Sequence, residues 1–300
     1  MDIVSSAPLA LDRERYGEAV EVASGLWILA TRHHGGGLRR LPEANNRALI
    51  LRLEDLRVGR PGLVVFNATA PSQSFAAVHR LRSKTGLEVS HVISCGGGHH
   101  AHLGAWRDEF PRARVLMGAL RAPRTRNGAA LLQRSRVAVM DPLDPLPEFA
   151  GQLAARSFTG LLGAREFATP LDGARDSLWR TLQAMRALAF PAEPYDELWI
   201  CHRATGTIVA GENLVPQYTA EAHAALPRLT RLFIKPGVVS VSSPARRVHD
   251  REDVARCWAD VLSWGGRALL GYHDCVGGGF LGDVAGALRS AAVAAGHLTI

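Results

Sequence analysis

Apolar residues come in short runs punctuated by glycine and proline. Residues 25–31 (GLWILAT) and 47–53 (RALILRL) are rich in large apolar and β-branched side chains, with the turn-forming stretch His33-His34-Gly35-Gly36-Gly37 between them. Both read as early strands of one sheet. Residues 63–66 (LVVF) make a further strand, 74–83 carry helical spacing, and 89–94 (VSHVIS) read as the next strand. A short helix over 105–110 and a strand over 114–117 continue the alternation.

Residues 140–149 (MDPLDPLPEF) contain three prolines and no periodicity, which marks a crossing between two halves of the fold. Beyond it the pattern predicts a helix over 177–189, strands over 197–201 and 207–210 joined by a turn at 203–206, and a helix over 251–263. Asp250 is placed to cap that last helix, with Glu252 and Asp253 in its first turn. A strand over 268–270 and a helix over 284–295 end the chain. Strands first, then alternation, then the same again, predicts an α/β fold of two mixed sheets packed face to face with helices outside. The expected organisation is a single domain over residues 1–300, its halves meeting near 140–150.

The balance of 47% hydrophobic and 21% charged residues excludes collagen, coiled coil and wholesale disorder. Cys95, Cys201, Cys257 and Cys275 form no Cys-x-x-Cys pair and are expected to be reduced thiols. Cys201 and His202, adjacent on a strand, are expected to face opposite sides. The first residues hold Asp2, Asp12 and Glu14 with no basic-then-apolar leader, and no apolar run reaches the ~18 residues of a membrane helix. A cytoplasmic protein without membrane association is the expectation.

The net charge of +7 is carried almost wholly by arginine, since Lys84 and Lys235 are the only lysines. Arg112, Arg114, Arg121, Arg124, Arg126, Arg134 and Arg136 crowd one stretch, which raises a nuclease reading. Interleaved aromatics for base stacking are missing there, so a small-molecule substrate is expected rather than nucleic acid.

Three post-strand segments are rich in metal-ligand residue types. The first is Ser94-Cys95-Gly96-Gly97-Gly98-His99-His100-Ala101-His102, where glycines let the chain turn and several imidazoles offer neutral nitrogen donors. It reads as a metal site or as a non-metal polar pocket. The second is 207–214 (TIVAGENL), a strand running into Gly211 and Glu212; the third is 269–274 (LLGYHD), delivering His273. Glu193, between two prolines before the 197–201 strand, is a fourth and weaker candidate.

The order of these elements, from about residue 25 to 276, resembles the metallo-β-lactamase superfamily. That family places a Thr-His-x-His-x-Asp-His loop after a strand, a Gly-His-Thr loop before a hairpin, Gly-Asp at the hairpin end and a last histidine after a late strand. Gly211-Glu212 corresponds to Gly-Asp, His273 to the last histidine, and residues 106–115 (WRDEFPRARV) to the helix and strand after the metal loop. The loop aligns in two registers, one placing Cys95, Gly97, His99 and His100 on the ligand positions and the other Gly97, His99, Ala101 and His102. Each lacks at least one family ligand. Glu193 stands where the Gly-His-Thr histidine would be, and Asn67 where a supporting aspartate is usual.

The resemblance implies a four-layer αβ/βα sandwich with a divergent metal site along one edge. It further implies one divalent ion, zinc before iron or manganese, held among Cys95, His99, His100, His102, Glu212 and His273. The implied activity is hydrolysis of a small substrate, anionic ones included, with Glu193 or Glu212 as general base. The alternative is a metal-free binding or scaffolding protein of the same fold.

Overall fold

The computed structural model describes residues 8–32, 45–96, 102–120, 122–124, 126–163, 193–211, 213–214, 218–225, 235–241 and 247–299. The first sheet holds seven strands in chain order: Ala19–Ala23 (β1), Leu26–Arg32 (β2), Asn45–Asp55 (β3), Arg60–Phe66 (β4), Val89–Ile93 (β5), Arg114–Met117 (β6) and Val137–Val139 (β7). β1 to β4 are antiparallel neighbours, whereas β4 to β7 are parallel. Parallel neighbours need crossovers, and Pro71–Thr85 (α1), Leu103–Glu109 (α2) and Arg126–Leu132 (α3) occupy them.

The second sheet has the order β12-β11-β10-β9-β8, built from Leu153–Gly163 (β8), Glu193–His202 (β9), Thr207–Ala210 (β10), Ala268–Gly271 (β11) and Phe280–Leu281 (β12). Its one parallel pair, β10 with β11, is connected through a segment containing Ala220–Ala225 (α4) and Arg251–Ser263 (α5); Val284–Ala294 (α6) follows β12. Asp250 caps α5 as its position predicts, its carboxylate accepting the Asp253 N–H.

Alternation along the strands builds the layers. Leu49 and Leu51 of β3 join Phe66, Ile93, Leu198, Ile200 and Leu270 in a core between the sheets. Ala48 and Ile50 point the other way, packing with Val78, Leu81 and Trp106 under α1 and α2. On the second sheet Trp199, Ile208 and Leu269 pack on Val254, Trp258 and Leu288 of α5 and α6. Both faces of each central strand are therefore apolar, and the result is the expected helix-sheet-sheet-helix stack.

Two strands escape the hydrophobic pattern. β1 (AVEVA) is short and partly exposed. β8 (LAARSFTGLLG) mixes Arg156, Ser157 and Thr159 into its apolar run, and its register slips between Phe158 and Leu161 where Gly160 has φ +79°. The chain passes from one sheet to the other between Val139 and Leu153, through the proline-rich segment. The helix expected over 177–189 and the His33-His34 stretch lie outside the described residues. Among the described residues no helix is long and apolar enough to cross a membrane.

Candidate functional site

The C-terminal ends of β4, β5, β10 and β11 reach one edge of the sandwich, and backbone bonds tie their exits together. Leu198 N–H of β9 donates to the Cys95 carbonyl at 2.8 Å, and Gly96 forms a bridge with Glu197, so the root of the glycine-histidine loop crosses from the first sheet onto the second. Arg47 N–H of β3 donates to the Tyr272 carbonyl at 2.7 Å, fixing the exit of β11 against the first sheet.

Asn67 ends β4 in the left-handed region, φ +65°, which asparagine tolerates better than most residues. Its N–H donates to the Ile93 carbonyl at 2.9 Å, and its Nδ2 donates to Asn46 Oδ1 and to the Arg47 carbonyl, both at 2.6 Å. Cys95 is fully buried beside it. The thiol contacts the Ile93 carbonyl at 3.7 Å and shares the inter-sheet core with the buried Tyr272, and burial pushes its pKa up to about 12. Burial likewise holds the Tyr272 phenol well above the usual tyrosine range.

Two adjacent carboxylates of β9 fasten further loops. Asp196 accepts the N–H groups of Ala119 at 2.6 Å and Leu120 at 3.3 Å, anchoring the chain after β6. Glu197 accepts the Asn213 N–H at 2.8 Å and packs against Gly211, where a Cβ would collide with its carboxyl oxygen. Both are buried, so each costs stability unless satisfied by such donors.

A buried ion group holds the His273 loop. Arg47, with a fully buried side chain, meets Glu14 Oε1 at 2.7 Å and Oε2 at 2.5 Å, and Asp274 Oδ2 at 3.1 Å. It also donates to the carbonyls of Cys275 and Gly278 at 2.5 and 2.9 Å. Burial opposes its charge, but Glu14 and Asp274 overcome this and raise the Arg47 pKa. Asp274 in turn accepts the Gly271 N–H at 2.5 Å, closing the turn around His273.

Of the residues expected to carry chemistry, Cys95 sits beneath the loop in the inter-sheet core. His102 is the N-terminal boundary residue of α2, half-buried, with its pKa lowered by burial toward the neutral imidazole that binds metals. His273 is half-buried between the buried Tyr272 and Asp274. Glu193 is the first residue of β9, paired with Gly163 of β8, four strand residues or about 13 Å from Glu197 along the strand. His99, His100 and Glu212 lie outside the described residues. Cys201 packs in the helix-side core of the second sheet, yet both it and His202 border one cleft, because β9 ends there.

Residues that the sequence reading passed over do the fastening: Arg47, Glu14, Asp196, Glu197, Tyr272 and Asp274. A charge inside the run RALILRL was the visible signal for Arg47. Nothing in the pattern marked Glu197 as more buried than an ordinary strand-start glutamate. The basic stretch is partly consumed by structure: Arg114 meets Glu148 at 3.2 Å, Arg134 meets Asp108 at 3.1 Å, and Arg136 donates to the Arg112 carbonyl at 2.7 Å.

No protein-family model and no curated protein matches the sequence. Solved structures do match in shape. The chain is similar to the metallo-β-lactamase FIM-1 from Pseudomonas aeruginosa, in its mono-zinc form, with TM-score 0.52 and 9% identity over 98% of this chain and 99% of that one. It is similar to DIM-1 metallo-β-lactamase exposed to ceftazidime, with TM-score 0.51 and 10% identity over 97% and 100% of the two chains. A metallo-β-lactamase from Erythrobacter litoralis gives TM-score 0.53 and 12% identity over 97% and 98%. The chain has the metallo-β-lactamase fold, as its element order implies.

The fold implies a metal, and the donor chemistry can be examined directly. His102 and His273 offer imidazole donors of the kind that suit a divalent ion. Among the described residues alone, no group of three His, Cys, Asp or Glu side chains is assembled to hold one.

Proposed function

We propose that the chain is a metal-dependent hydrolase of the metallo-β-lactamase type acting on a small substrate. The observation that carries this reading is that Cys95 and Tyr272 are both buried in the one core between the sheets. The root of the glycine-histidine loop and the residue immediately before His273 are thereby anchored in the same layer, so two of the three ligand-rich segments leave the sandwich at the same edge. In this reading His273, His102, one or both of His99 and His100, and Glu212 hold a single divalent ion, zinc in preference to iron or manganese. Cys95 serves as packing, its side chain fully buried in the core between the sheets.

When bound, such an ion acidifies water and polarises a carbonyl or phosphoryl oxygen. The chain's own part is to orient and to accept a proton. Arg47 and Asp274 hold the His273 turn in place. The general base is Glu193, or Glu212 where it is not a ligand.

The test is hydrolysis of a panel of lactams, esters and phosphoesters by chelator-treated protein resupplied with zinc, iron or manganese. Activity restored by one metal supports the reading. The metal-free binding protein is favoured instead if no metal restores turnover.

A further inference from the structure

A second site lies at the opposite end of the sandwich. β10 and β11 end at the candidate metal edge, and their starts border a cleft of about 880 Å³. The far end of β9, the Arg203 to Gly206 turn, the β1–β2 turn and the C-terminal ends of α1 and α5 complete its walls. That volume falls in the range of small-molecule sites, and Trp27 and Trp264 give it an apolar part.

Its charge is one-sided. Arg52, Lys84, Arg203 and Arg267 line it and are exposed, and none of the four has a carboxylate within salt-bridge distance among the described residues. Glu21 is the one acidic residue in the lining, and its Oε1 already accepts the Gly25 N–H at 3.1 Å. The arrangement is specific at the β9–β10 turn. Gly206 takes φ +64°, a conformation glycine adopts freely, and the Arg267 side chain lies against this turn, with Nε 2.8 Å from where a Cβ would stand. Arg203 and Arg267 also share a target, since both charges act on the buried Cys201 thiol in the cleft wall. Elsewhere arginines of the chain are paired, as Arg57 and Arg114 are with Glu148.

Four cations set against one engaged carboxylate, around a pocket of metabolite size with tryptophan in its wall, define a receptor for anionic oxygens on an organic body. We infer that this cleft binds a small organic diphosphate, with Arg203 and Arg267 gripping the phosphates. The site is separate from the candidate metal edge and does not depend on the hydrolase reading.

The experiment is calorimetric titration of the full chain with ADP, in parallel with sulfate, a single-stranded oligonucleotide and anionic phospholipid vesicles. Saturable binding of ADP at one site per chain is expected, weakened at least tenfold in the double variant Arg203→Ala, Arg267→Ala and unchanged in Arg289→Ala, which removes an exposed arginine of α6. Circular dichroism of the double variant should match the parent, because both side chains are exposed. The inference is overturned if ADP does not bind, if sulfate competes at equal concentration, or if the double variant binds as well as the parent. Tighter binding of the oligonucleotide or the vesicles than of ADP would also overturn it, making the cleft a surface for macromolecular anions.

Discussion

Arg47 and Asp274, 227 residues apart in the chain, meet at 3.1 Å with both side chains buried. The pair joins β3 of the first sheet to the turn after β11 of the second, and Glu14 completes it from the N-terminal segment. Removing one member leaves the others as uncompensated buried charges, which costs far more than an intact pair contributes. Arg47→Ala is expected to lower unfolding free energy by about 3–5 kcal/mol in urea denaturation. A loss below about 1 kcal/mol would mean that water already reaches the group.

His202 gives the protein an acid sensitivity of defined sign. It is buried, its ring meets Thr205 Oγ1 at 3.0 Å, and burial pushes its pKa down to about 4. The unfolded chain takes up a proton near the ordinary value of about 6.5, before the folded chain does, so stability is lost as pH falls from there toward 4. Between pH 7 and 5 this group alone should remove about 2 kcal/mol. Urea unfolding of the wild type and of His202→Asn at the two pH values checks it: the variant should lose less stability on acidification, and parallel losses would contradict the account.

At Asn67 the backbone conformation and the side-chain bonds can be separated. Asn67→Gly keeps the left-handed φ but deletes two hydrogen bonds, whereas Asn67→Ala loses the bonds and adds strain. Alanine should therefore be the worse substitution by about 1 kcal/mol, measured by thermal or urea unfolding. Equal costs would show that the hydrogen bonds alone matter there.

All four cysteines are buried thiols outside any disulfide, with the pKa of Cys95 raised to about 12, Cys201 to about 11 and Cys275 also raised, each chiefly by burial. A chromogenic disulfide reagent at pH 8 should find no fast-reacting thiol in the native protein and four in denaturant. Fast native labelling of Cys95 would show an open path to the floor of the candidate site.

The layers of this fold were legible because central strands such as β3 and β4 are apolar on both faces, leaving uninterrupted runs that composition alone reveals. β8 was not, since its polar residues alternate irregularly and it is held by pairing with β9 along its length. The site divides in the same way. His273 and the glycine-histidine loop announced themselves by residue type, and the cap at Asp250 by position. The fasteners Asp196 and Glu197 did not, because burial of a strand carboxylate is decided by which loop arrives opposite it, here residues 118–120 for Asp196 and Gly211 and Asn213 for Glu197, and that is a property of the assembled sheets.

The central claim is that one metal ion is held at the edge where the Cys95 and Tyr272 segments meet, with His273 among its ligands. Elemental analysis of the purified wild type and of His273→Ala, each shown to be folded by circular dichroism, tests it directly. The account predicts about one equivalent of a divalent metal in the wild type and a loss of that ion in the variant, since deleting one of three or four ligands leaves an incomplete coordination shell. Two stoichiometric ions in the wild type, or an undiminished ion in His273→Ala, would contradict it.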